Sequence, residues 1–164
     1  MDTAETTPTL SLLFSELTNG VKPSGGFILN TGDAGLLASL DKISAGDASR
    51  SVNDGATIAA HVQHLRYGLS LMNRWAAEGG NPFADAKWDE AWKTSRVNAS
   101  EWSEIRGGLR DEAQRWLSVL GSPREVNGVE LSGMIGSIAH LAYHLGAMRQ
   151  IAASARGPKE GTFT

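Results

Sequence analysis

Apolar residues recur along this chain at helical spacing, and polar turn signals cut the recurrence into four main stretches. The first, Thr9 to Leu17, has apolar residues at 10, 13, 14 and 17 and stops at Thr18-Asn19-Gly20. After a loop rich in glycine and proline the pattern resumes from Asp33 in GLLASLDKI and reaches Gly46, so this amino-terminal part reads as two short helices or one interrupted helix, with the interruption expected to be real. The second long stretch begins near Ser51 to Asp54, which offer N-caps, and places Ile58, Val62, Leu65, Leu69, Met72 and Trp75 on one stripe before Gly79-Gly80 ends it. Residues 81–98, NPFADAKWDEAWKTSRVN, lack sustained periodicity yet hold Phe83, Trp88 and Trp92; a connection this long usually has a job. The third stretch starts at a cap, Asn98 or Ser100, and spaces Trp102, Ile105, Leu109, Ala113, Trp116 and Leu120 by threes and fours, with Gly107-Gly108 as a candidate bend. A polar turn around Asn127-Gly128 introduces the fourth, from Val129 to about Ala155, closed by Gly157-Pro158 and followed by a tail, PKEGTFT, expected to fray.

No strand-like alternation of useful length appears, so the expected fold is all-α with four principal helices. The 164 residues suffice for one domain with a real core: a bundle over about 33–155, a partly irregular 1–32 and a tail at 156–164. The long connections before the second and third helices allow an order other than simple up-down-up-down.

Composition narrows the chemistry. Fifteen basic against eighteen acidic residues give a net charge of −3 and a pI near 5.8, which supplies no cationic footprint for a phosphate backbone, so nucleic acid is not an expected partner. The absence of cysteine excludes disulfides, thiolate catalysis by the protein itself and cysteine-held zinc; any metal must be held by histidine and carboxylate. The acidic start MDTAETTPTL, and Glu16 within the apolar stretch after it, do not fit a signal peptide. Residues 131–148, LSGMIGSIAHLAYHLGAM, carry no Asp, Glu, Lys or Arg, but two histidines and three glycines make a poor span, and the mean hydropathy of −0.22 favours a buried helix of a soluble, cytoplasmic protein with no membrane partner.

All four histidines lie in two helical segments: His61 and His64 in AAHVQHLRYGL, and His140 and His144 in IAHLAYHLGAM. A spacing of four puts His140 and His144 one turn apart on one face, where their ring nitrogens can converge on an ion. They share that face with Gly133, Gly136, Ser137 and Ala147, small residues that let a neighbouring helix approach or leave a cavity. On a helical wheel His61 falls about 50° from the centre of its core stripe and His64 about 110°, near the rim, which ranks His61 above His64 as a third ligand and gives His64 a supporting or water-facing place. Three neutral nitrogens around a divalent ion leave a position for water or a thiolate and lower its pKa. The plainer alternative is hydrogen-bonded core histidines. Trp75, Trp102 and Trp116 fall on helical stripes and read as core; Trp88 and Trp92 either line a pocket mouth or pack over the bundle end. Arg149 is placed to serve the end of its helix or an interhelical hydrogen bond.

The segments AAHVQHLRYGLSLMNRW, KWDEAWKTSRV and IAHLAYHLGAMRQI resemble the DinB-like (YfiT-like) superfamily, with its DUF664-type and DinB_2-type members, over about Gly35 to Ile151. The resemblance implies a four-helix bundle of up-down-down-up order and a divalent metal held by one histidine of the second helix and an HxxxH pair of the fourth. Carried over, these are His61, His140 and His144, with His64 competing for the first place. The resemblance further implies zinc or nickel, and a transferase that uses the metal to activate a low-molecular-weight thiol against a small electrophilic substrate; a hydrolase using metal-bound water is the other enzyme reading. A different class is a non-catalytic helical module that forms a homodimer or holds an apolar ligand, with structural histidines.

Overall fold

The computed structural model describes residues 6–159, so the acidic first residues and most of the expected frayed tail lie outside the described residues. Seven helices and no strand occur among these: α1 (Thr6–Asn19), α2 (Gly35–Leu40), α3 (Ala45–Ala48), α4 (Ile58–Glu78), α5 (Trp88–Ala91), α6 (Ala99–Gly121) and α7 (Gly128–Ile151), with a 3₁₀ turn at Ala153–Ala155. Four are long: α1, α4, α6 and α7. No helix among the described residues is long and apolar enough to cross a membrane. The chain divides into two compact units, 1–43 with 120–164, and 44–119.

In the first unit α1 packs against α2 and α7. Leu10, Phe14 and Leu17 of α1, Leu36 and Leu40 of α2, and Met134, Leu141, Leu145 and Met148 of α7 are buried at the helical spacings that made them legible in the sequence. The interruption between α1 and α2 is real and it is clasped. Gly20 (φ 92°) and Gly35 (φ 75°) lie so close that a Cβ on either would run into backbone of the other strand of the loop, and the Val21 N–H donates to the Asp33 carbonyl at 2.8 Å. Inside the loop the buried Glu16 carboxylate accepts the N–H groups of Phe27, Ile28 and Leu29 at 2.8, 2.7 and 2.6 Å. Burial opposes its ionisation, but the three donors together outweigh that and hold its pKa below the ordinary carboxylate value.

Asn127 caps α7 with a capping box to Glu130. At the other end Arg149 donates to buried Asp33 at 2.8 Å and to the Ala155 carbonyl at 3.2 Å, and Asp33 also accepts the Gly35 N–H at 2.9 Å. The uncharged stretch 131–148 is only half buried: Ile135 and Tyr143 are exposed, as is Val129 just before it, whereas the sequence suggested a buried helix. The stripe of large residues marks the inward face, but with no charged residue on the outer one, hydropathy alone does not show that apolar side chains are left in solvent there.

In the second unit the expected N-cap of α4 among Ser51 to Asp54 is displaced to Thr57, whose hydroxyl accepts from Ala60 N and donates to the Ser95 carbonyl. Asn53 and Asp54 adopt left-handed backbone (φ 51° and 56°), a turn from which no helix can begin. The pattern to Gly46 likewise splits into α2 and α3, because Ser44 caps a fresh turn through Asp47 N. Asn98 caps α6 by accepting from Ser100 and Glu101 N–H. Gly107-Gly108 does not break α6; a Cβ at Gly108 would strike the Arg66 guanidinium of α4, so the glycine makes room for that side chain.

Candidate functional site

The carboxy-terminal histidine pair belongs to the first unit. One helical turn of α7 separates His140 and His144, and their Nε2 atoms lie 2.9 Å apart with the rings nearly perpendicular at 88°. Two nitrogens bound at 2.0–2.1 Å to one tetrahedral ion lie about 3.3 Å apart, so this pair needs only a small spreading to become bidentate. His144 is buried and His140 half-buried, and burial pushes the His140 pKa below the ordinary imidazole value, which favours the neutral ring a metal requires. Tyr143 stands edge-on to His144 with ring centroids 5.1 Å apart.

The other two histidines belong to the second unit, on α4, and the connection 79–98 is laid along them. Trp92 stacks on the His64 ring with centroids 4.3 Å apart and planes 23° from parallel, and meets His61 edge-on at 5.3 Å. Trp88 lies tilted against His64 at 5.4 Å and edge-on to Tyr67 at 5.5 Å. Polar bonds fix this strap at both ends. Arg74 binds Asp85 at 2.7 Å and the Pro82 carbonyl at 3.0 Å, the Lys87 N–H donates to the Tyr67 hydroxyl at 2.8 Å, and Thr57 and Ser49 hold Ser95 and Val97.

The strap corrects one expectation about the helix wheel. His64 is not at a wet rim: it is 7 % exposed and His61 8 % exposed. Helical arithmetic places a side chain relative to its own stripe and cannot see two indoles arriving from twenty-odd residues downstream. Burial of His61 lowers its pKa, for the same reason as at His140. Trp88 and Trp92 therefore do pack on histidines, while Trp102 and Trp116 are core and Trp75 is only half-buried. Sequence reasoning missed Tyr67 and Arg74 as strap anchors. The signal was present: positions 64, 67, 71 and 74 share one face of α4, and three of them carry polar or aromatic groups beside an aromatic-rich connection.

The chain matches no protein-family model, and no curated protein or solved structure matches it.

Proposed function

We propose that this protein is a divalent-metal enzyme of the DinB-like kind, a four-helix bundle in up-down-down-up order in which His64, His140 and His144 hold one ion. The observation that carries the reading is the α7 pair, two imidazoles with their Nε2 atoms 2.9 Å apart, a spacing that one shared ion would satisfy. Of the two α4 histidines we take His64, whose ring Trp92 stacks face to face, ahead of His61, which the same indole meets edge-on. This choice departs from the helical-wheel ranking, which put His61 first. Three neutral nitrogens suit zinc or nickel, and with no cysteine in the chain the protein offers no competing thiolate. When bound, such an ion lowers the pKa of a thiol or a water in its remaining position. The chain's own part is to keep the His140 imidazole neutral by burial and to orient the ring nitrogens from rigid helices. The reaction this suits best is transfer of a low-molecular-weight thiol to a small electrophile, with hydrolysis by activated water as the second chemistry.

The test is metal content. Protein purified without chelator is expected to carry about one equivalent of divalent metal per chain, reduced in His140→Ala. Metal-free protein that refuses added zinc and nickel refutes the reading.

One observation favours a second reading, a helical module that pairs with its own copy: Val129, Ile135 and Tyr143 stand exposed on a helix with no charged residue from 131 to 148. Light scattering after size exclusion tests it, and a monomer at micromolar concentration counts against it.

A further inference from the structure

The strap 79–98 does more than connect α4 to α6, because its two tryptophans are spent on histidine rings. We propose that Trp92 is the positioning residue for His64, its indole face fixing the plane in which the imidazole presents its nitrogen to an ion. This rests on the metal reading above. The torsion that turns an imidazole about its Cβ–Cγ bond has a broad, weakly restrained profile, so an unbraced histidine ligand loses rotational freedom when an ion binds. Trp92 removes that freedom beforehand. Its ring lies 23° from parallel to His64 at a centroid separation of 4.3 Å, close enough that a swing of the imidazole out of plane would drive it into the indole. Trp88 has a different geometry, 48° from parallel at 5.4 Å, and braces the edge of the cluster through Tyr67 and Phe83 more than the His64 face. The bonds from Arg74 and Tyr67 to the strap hold both indoles in place against α4. Metal-ligating histidines are generally oriented by groups outside the coordination shell; at His64 the Trp92 indole face is such a group.

The experiment is a cobalt(II) titration of the full chain, read by cobalt absorption and by tryptophan fluorescence. Trp92→Leu is expected to bind cobalt about tenfold more weakly than wild type at unchanged helix content, the lower end for loss of a group that orients a ligand. Trp92→Phe, which keeps an aromatic face, is expected within about twofold of wild type, as is Trp88→Leu. Trp92→Phe should also lose the larger part of the cobalt-induced quenching, because the indole nearest His64 has gone. Wild-type affinity in Trp92→Leu, or Trp92→Phe as weak as Trp92→Leu, overturns the inference. Should Trp92→Leu fail to fold, the quenching decides: Trp92→Phe quenched as fully as wild type overturns it, and loss of the quenching supports it. A wild-type chain that takes up no cobalt refutes the metal reading and the inference with it, whereas indifference of Trp92→Leu in a cobalt-binding background refutes the inference alone.

Discussion

Replacing Asp33 by alanine should be among the most damaging single changes in the first unit. The Asp33 side chain is 3 % exposed and its partner Arg149 16 %, so this pair is far from the screened surface bridges that contribute little. Asp33 accepts from Arg149 at 2.8 Å and from the Gly35 N–H at 2.9 Å. Alanine leaves a largely buried guanidinium without its counter-charge and a buried N–H without its acceptor, a combination that costs about 3–5 kcal/mol. Asp33→Asn keeps an oxygen for Gly35 but loses the charge, and should cost about 2 kcal/mol. For a chain of this size each kcal/mol moves the melting temperature by about 2–4 °C, which puts the Asp33→Ala shift at roughly 6–20 °C. Urea unfolding followed by circular dichroism measures the free energy directly, and adding Arg149→Met to Asp33→Ala should recover most of the loss, since no buried charge is then left alone. A cost below about 1 kcal/mol, as for an exposed pair, or a double variant no better than the single, refutes the reasoning. The site has a stake in the result, because Arg149 follows His144 by five residues on α7 and ties that helix end to the loop before α2.

Glu16 makes the first unit acid-sensitive. Its folded pKa is depressed, so the stabilisation it confers is present above about pH 4.5, its ordinary value, and is lost as the pH falls through the folded value. Glu16→Gln should cost about 1–3 kcal/mol at pH 7, because one carbonyl can still serve Ile28 and Leu29 while the amide presents a donor to the Phe27 N–H. Stability curves of wild type and variant that do not converge as the pH is lowered would contradict this. Gly107→Ala should stabilise the chain by about 0.5–1 kcal/mol, since the new methyl meets nothing within 4 Å and α6 gains helix propensity; a lower melting temperature would count against it.

Much of the helix content was legible because caps and stripes agree. Asn98 and Asn127-Gly128 were readable as starts of α6 and α7, and Gly79-Gly80 as the end of α4, from local chemistry alone. The start of α4 was misread because Ser51 to Asp54 look like caps, while the left-handed backbone at Asn53 and Asp54 commits them to a turn. The inward face of α7 was legible from its large-residue stripe, and Met134, Ile138, Leu141 and Leu145 are indeed buried; the apolar residues left outside, Ile135 and Tyr143, were not, since no charge between 131 and 148 marks solvent. The histidine pair of α7 followed from spacing; the burial of His64 did not, because it depends on Trp88 and Trp92, whose approach to α4 is set by Tyr67 and Arg74 rather than by periodicity.

The most direct test of the metal reading is elemental analysis of the wild-type chain beside His64→Ala and His61→Ala, each purified without chelator and then offered zinc and nickel. The account predicts about one equivalent in wild type, near-complete loss in His64→Ala and retention in His61→Ala. Metal retained in full by His64→Ala, or none taken up by wild type, would contradict it.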